Sequence, residues 1–597
     1  MSVGGLETQL RGVLERTGCL EWLSQMRLRA PLGAAWRAIK RPATLRDQLD
    51  ILRDYRTFRA ECGPVVGPGR HLADGSRRVM VVSLSDWICQ VKIEALLAKA
   101  LQVRGYTPVI VTHSDAGWAQ RYYRLFGYGQ FVRFDRAIAQ VPAEAVAAHA
   151  ETLLARATSI QAIKKFQYRG VNVGRQVLAT ITRSLHASTD VTAPDGLHRL
   201  KAALLQAMRS VLAAEHVVGE IAPSMALFLE KDYMGIGSLY DVCVNRGVNT
   251  MQWCLSHRDD SYTLKRFTPE TRNLHPKSLS DDTWRLIRAM PWTPAREAAL
   301  KEEFTLRYEQ GKWASYYNRP YGQLKPADAI RQQLELDPSK KTAVVFSHVL
   351  WDSTFFWGED LFDDYAEWLV ETVRAACRNP AVNWIVKLHP ANGWKLAREN
   401  VRGELYDRLL LRDTVGTLPP HVKLLGPETD LNTYALFAVS DYCLTVRGTI
   451  GSEMACHGIP VLTAGTGRYS GLGFTIDSSS REEYLARLAR IQDLPALDEE
   501  ETMLAKKYAY AIFALRPWRA TSFEGIYLPL RPGGHPLDHN VRLRLRSFRD
   551  LLSAPDLAAF AEWACRSEQA DFLSSVPGST AQDALAVARA DRPLLES

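Results

Sequence analysis

The chain has 597 residues, too many for one hydrophobic core and enough for two or three domains. Its 46% hydrophobic and 23% charged residues are those of an ordinary globular protein, which excludes a low-complexity or fibrous chain. Lysine and arginine number 74 against 66 aspartates and glutamates. That net charge of +8 permits contact with anionic lipid or phosphorylated ligands and is too mild for a nucleic-acid binder.

Residues 1–60 read as arginine-rich helices, with Leu10, Leu14, Trp22, Leu23, Trp36 and Ile39 set among Arg11, Arg16, Arg27, Arg37 and Lys40. Such a segment suits either an interfacial helix drawn to anionic lipid or a helical cap on the body. The N-terminus lacks the apolar run of a signal peptide, and no stretch reaches the ~18 apolar residues of a membrane span. Nine cysteines without a CxxC pair point to a reducing cytoplasm. Residues 62–76, rich in glycine and proline, form a linker.

From Arg78 the pattern becomes α/β. RVMVVSLS is a strand, 90–104 a helix and TPVIVTHS a strand, a βαβ unit. Helices follow over 143–220, clearest at 176–185 and 197–213. SMALFLE is a strand, 237–246 a helix and NTMQWCLS a strand. Residues 280–336 read as helices that carry the chain to a second block. There TAVVFSHV is a strand, 363–378 a helix, NWIVKLHP and HVKLLGP strands, and 431–439 a helix. Residues 442–446 form a buried strand, Arg447 to Gly451 a tight turn, and a helix opens at Ser452. A strand over 459–464 and a glycine-rich loop complete the block. A closing helix is expected over 502–515 and a helical tail beyond 540, with the last twenty or so residues unstructured. The domains expected are 1–70, 71–335, 336–539 and 540–597: a basic helical segment, two tandem Rossmann-like α/β units, and a tail.

Open α/β sheets bind ligands beyond the carboxyl ends of their strands. In the second block those positions hold Ser347, His348 and Asp352, then Lys387, His389 and Pro390, then 447–453, then the glycines of GTGRYSGLG. A turn feeding a helix N-terminus offers unpaired N–H groups to a phosphate, and Arg447 and Ser452 add donors. Gly448 and Gly451 admit a ligand to the backbone, Thr449 lies between them, and Glu453 suits a ribose diol. GTGRYSGLG itself reads as a loop over the donor. In the first block Asp86, Glu230 and His257 stand where a general base would act on an acceptor hydroxyl, although each also fits a helix cap or an ion pair. Adjacent acidic pairs such as Asp259-Asp260 diverge along a helix or strand and suggest no metal site. HExxH, Walker A and GxSxG patterns are absent from the sequence.

KLHP together with RGTIGSEMACHGIPVLTAG resembles the GT-B glycosyltransferases, and within them the bacterial capsule polysaccharide biosynthesis family that includes Kdo transferases. The likeness is strongest over 342–480. It implies a second lobe holding the phosphates of a CMP- or UDP-linked sugar near His389, Arg447, Gly448, Thr449 and Ser452, with Glu453 at the ribose. It also implies a first lobe holding a glycan or glycolipid acceptor, no metal or cofactor, and a cytoplasmic enzyme, with peripheral contact at the inner membrane as one option. The expected reaction is sugar transfer to a hydroxyl of a surface polysaccharide. Nucleotide-sugar 2-epimerase, CDP-glycerol glycerophosphotransferase and non-catalytic capsule assembly or export factor stand as alternatives.

Overall fold

The computed structural model describes residues 42–67, 76–188, 190, 191, 193–312, 324–352, 354–401, 403–528 and 534–574. The basic stretch expected to bind lipid or cap the body lies mostly outside the described residues, as do the last residues of the tail. Helix Pro42–Val66 is the first element described, and it runs on through Cys62, where a linker was expected.

The first unit is built on a seven-stranded sheet. Its strands are β1 (Arg77–Val82), β2 (Tyr106–Thr112), β3 (Phe131–Arg133), β4 (Met225–Phe228), β5 (Asn249–Leu255), β6 (Ser261–Phe267) and β13 (Trp518–Arg519). They run in the order β13-β6-β5-β4-β1-β2-β3. β1, β2, β3, β4 and β5 are mutually parallel, and β2 is buried along its whole length, as a sheet covered on both faces requires. Hydrophobic clusters lie on each face: Val79, Val81 and Leu227 point to one, Met80, Val82 and Phe228 to the other.

The second unit has a six-stranded parallel sheet of β7 (Thr342–Phe346), β8 (Asn383–Lys387), β9 (Val422–Leu425), β10 (Tyr442–Thr445), β11 (Val461–Thr463) and β12 (Ile476–Asp477). The order is β12-β11-β10-β7-β8-β9, again with a core on each face. The two tandem parallel α/β units are therefore present. The helix after Arg447 opens earlier than expected, spanning Thr449–Ala455, and 435–439 is a 3-10 turn.

Two boundaries differ from the sequence reading. Helix Glu499–Tyr510 gives way to a π turn at Ala511–Leu515, and the chain then crosses back to the first unit. β13 pairs antiparallel with β6 there, before the expected limit at 539. RLRLRSFRDLL is not one helix. β14 (Phe523–Tyr527) and β15 (His539–Leu543) form a hairpin, and among the described residues of the tail only Phe548–Ser553 and Pro555–Arg566 are helical. Val541 and Leu543 flank Arg542 in strand-like alternation, but periods of 2 and 3.6 are indistinguishable in so short a run. β3 and β6 were missed for the same reason.

The return segment is fastened by charge. Asp571 is fully buried, with Lys265 Nζ at 2.8 Å, Arg516 Nη2 at 3.2 Å and the Ser280 N–H donating at 2.7 Å. These cations hold its carboxyl well below the usual range despite burial. Its contribution is therefore complete above the ordinary carboxylate pKa and is lost only as pH falls through the depressed value. Asp571→Ala strands two buried cations and is expected to cost about 3–5 kcal/mol in denaturant unfolding; a loss below about 1 kcal/mol, the level of a surface pair, would contradict this reading of the fastening.

Candidate functional site

The carboxyl ends of both sheets open onto one cavity of ≈ 1230 Å³. From the second unit it is lined after β7 by Ser347, His348 and Asp352, after β8 by Lys387, His389 and Pro390, and after β10 by Arg447, Gly448 and Thr449. From the first unit come Trp87, His113 and Glu230, each just past a strand. Of the predicted residues, His348, Lys387, His389, Arg447, Gly448, Thr449 and Glu230 thus converge. Asp86, His257, Gly451, Ser452 and Glu453 do not line the cavity.

His348 and His389 are neutral at pH 7. His389 Nδ1 accepts the Ala391 N–H at 3.1 Å, which leaves the ring proton on Nε2. Burial and then Lys387 push its pKa down to about 4. His348 Nε2 accepts the Val446 N–H at 3.2 Å and lies 3.1 Å from Thr445 Oγ1, while Tyr365 stacks on the ring at 4.5 Å. Burial again lowers its pKa, well below the ordinary value. These rings orient and donate; they do not supply charge.

Arg447 differs from expectation. Its side chain is only 3% exposed, and its guanidinium is committed to Asp360, to the Tyr365 hydroxyl at 3.2 Å and to the Glu359 carbonyl at 3.0 Å. Gly465 makes room for it, since a Cβ there would stand 2.3 Å from Arg447 Nη2. Asp360 in turn holds Lys164 of the first unit at 3.1 Å. Arg447 therefore ties the turn to the opposite lobe, and its charge is already balanced.

The rest of the turn is packed from beneath. A Cβ on Gly451 would lie 2.2 Å from the Tyr469 hydroxyl, which donates to the Gly448 carbonyl at 2.6 Å. Close packing, not ligand approach, requires glycine at that position. Ser452 Oγ donates to the Thr449 carbonyl at 2.8 Å inside its own helix. Glu453 is fully buried, pairs with Arg307 through Oε1, and keeps Oε2 without a hydrogen-bond partner.

Two of the three base candidates are structural. Asp86 accepts the Ala119 N–H at 2.7 Å, serving helix Gly117–Leu125, whose own N-cap Ala116 has no side chain to do so. His257 is buried against Glu303 at 3.0 Å, and burial pushes its pKa down to about 4. Glu230 alone faces the cavity. Its side chain is reached by solvent from the cleft, yet the surrounding protein raises its pKa by desolvation against the pull of Arg183 and Lys395.

Charge in the cleft is one-sided. Eight arginines and lysines line it against three carboxylates, Glu230, Asp352 and Glu399. Five of the cations are paired: Arg183 with Glu399, Lys395 with Asp352, Arg398 with Asp538, Arg307 with Glu453 and Arg447 with Asp360. Among the described residues Lys277, Lys387 and Arg468 have no ion-pair partner. Burial lowers Lys387 to about 8, with Glu428 opposing, and Lys277 is lowered by burial too. Sequence reasoning missed Lys277 and Arg468. Arg468 sat in plain view in GTGRYSGLG, whereas Lys277 follows the unrecognised strand β6.

No protein-family profile matches the chain, and no curated protein matches it in sequence. Solved structures give faint likenesses. KpsC of Thermosulfurimonas dismutans, a beta Kdo 2,4 transferase, is 14% identical over 52% of this chain and 84% of its own, with a TM-score of 0.30. The UDP-GlcNAc 2-epimerase of Neisseria meningitidis, bound to UDP-GlcNAc, is 11% identical over 73% and 96%, at a TM-score of 0.24. HepE of Anabaena, in complex with UDP-glucose, is 12% identical over 73% and 94%, at 0.26. At such values these likenesses decide neither substrate nor reaction.

Proposed function

We propose that the chain is a nucleotide-sugar-dependent glycosyltransferase whose donor phosphates lie against the second lobe and whose acceptor enters along the first. One observation carries this reading: three cations without ion-pair partners among the described residues and one solvent-reached carboxylate line a single cleft. A cation with no carboxylate partner at the wall of a cavity fits an anionic ligand, and Lys277, Lys387 and Arg468 together fit a diphosphate better than a single charge. The Gly448 N–H is taken by Thr445 Oγ1 at 3.1 Å, so the turn adds the Thr449 N–H at the helix start, and His389 Nε2 adds a neutral donor.

In this mechanism Glu230 accepts the proton of the acceptor hydroxyl as its oxygen attacks the anomeric carbon. The bond from that carbon to the phosphate oxygen breaks, and the leaving nucleotide's charge is met by Lys387, Arg468 and Lys277. Removing a donor aimed at developing charge costs about 10²–10³ in rate. Desolvation raises the pKa of Glu230, with Arg183 and Lys395 opposing, and a raised carboxylate pKa makes it a stronger base for a hydroxyl proton.

Four outcomes are expected. A thermal-shift panel of UDP, CMP, CDP and GDP should show a selective rise in Tm, because a ligand that binds only the folded state stabilises it. Lys387→Ala and Arg468→Ala should each weaken that nucleotide by roughly tenfold, the loss of a charge-assisted hydrogen bond. Unchanged affinity in both would remove the phosphate assignment. Glu230→Gln should leave nucleotide affinity intact and lower kcat by about 10²–10⁴; a nucleotide sugar that epimerises with no acceptor present would favour the 2-epimerase instead. Lys387, titrating at about 8, loses its proton as pH rises. Nucleotide affinity should therefore fall above that pH in the wild type and lose this dependence in Lys387→Ala.

A further inference from the structure

The first sheet ends at β3, an edge strand that runs directly into helix Phe134–Ala139. Three arginines meet there: Arg124 from helix Gly117–Leu125, Arg133 at the end of β3, and Arg136 in the helix. Arg124 and Arg136 are exposed and Arg133 is half-buried. The ring of Phe131 lies between two of them, with the guanidinium carbons of Arg124 and Arg133 at 5.1 and 5.3 Å from its centroid.

Protein offsets these charges only in part, through the pull of Asp135 on Arg133. None of the three has an ion-pair partner among the described residues. Arg133 donates through Nη2 to Gln120 Oε1 at 2.6 Å, but its Nη1 is buried without a hydrogen-bond partner. Burial, and after it the nearby Arg124 and Arg136, lower the pKa of Arg133. Asp135, next in sequence to Arg136, is committed to the Ser114 N–H at 2.9 Å. Charged side chains do protect edge strands from unwanted pairing. One exposed arginine suffices for that, and it does not call for a desolvated, unpartnered donor beside two like charges.

The cluster adjoins the cleft. Gln120, which receives Arg133, donates through Nε2 to the His113 carbonyl at 3.2 Å. Arg136 Nε donates to Ser114 Oγ at 3.1 Å. His113 and Ile138, on either side of this group in sequence, line the cavity on the first-lobe side together with Glu230.

We propose that Arg124, Arg133 and Arg136 form a subsite for a phosphate or carboxylate group carried by the acceptor glycan, at the rim where that glycan enters the cleft. Guanidinium forks match both groups in geometry, and the Phe131 ring holds two of them in place by stacking. The acceptor identity rests on the glycosyltransferase reading; the anion site itself does not.

The test uses the full chain. UDP is titrated first, and then, with UDP present, a short oligogalacturonate and a neutral malto-oligosaccharide of the same length. The acidic glycan should bind with an affinity that falls as salt rises, and the neutral one should bind far more weakly. The double variant R124Q/R136Q spares the half-buried Arg133. It should lower oligogalacturonate affinity by about tenfold or more, with Tm and UDP affinity unchanged, and R124K/R136K should recover part of the loss. Equal binding by the double variant, equal binding of the neutral glycan, or binding only to phosphatidylglycerol vesicles would each overturn the proposal. Arginine-dependent binding of oligogalacturonate without any binding of UDP would refute the donor reading and leave the subsite standing.

Discussion

Asp360 sits between two cations from opposite lobes, Arg447 of the second and Lys164 of the first, and all three side chains are nearly sealed from water. A buried carboxylate in that position is tolerable only if both partners stay in place, because removing either leaves charge exposed to a low dielectric. The triad therefore fixes the Arg447 turn against the facing lobe. Neighbouring contacts reinforce it: Arg175 donates to the carbonyls of Phe355 and Gly358, and Gln161 to that of Phe362. The cleft is shaped by this junction as much as by the two sheets.

Once Arg447 is balanced internally, the burden of holding an anion shifts to side chains that lack partners. Lys277 comes from the first unit, and Lys387 and Arg468 from the second, so the positive field exists only where the lobes meet. A second set of contacts closes the other side of the cleft. Arg183 reaches Glu399 and Asp352 across the gap, and the Tyr233 hydroxyl donates to Asp352 at 2.7 Å. Glu230 lies beside this network with no side-chain hydrogen bond to the described residues. A base needs that freedom, since a carboxylate already saturated with donors accepts a proton poorly.

Much of the fold was legible because buried parallel strands announce themselves as apolar runs. RRVMVV, TAVVF and NWIVK are all strands, and the residues just past them do converge. KLHP was informative for a local reason: it places Lys387 and His389 at a strand end, where the backbone turns out of the sheet. The roles were less legible than the places. Arg447, Glu453 and His257 have the right chemistry and the right topological positions, yet each is turned to an internal partner that lies far away in sequence. Asp360, Arg307 and Glu303 carry no mark that singles them out in the chain.

The sequence by itself determined the two α/β units and the strand ends that bear polar residues. These follow from local rules, periodicity and backbone sterics, which act over a few residues. Only the tertiary structure decided which charges remain unbalanced, which acid stays open to the cleft, and that the chain returns from Trp518 to complete the first sheet. Those outcomes depend on pairs separated by tens to hundreds of residues, and desolvation acts on a group according to its surroundings in space rather than its neighbours in the chain.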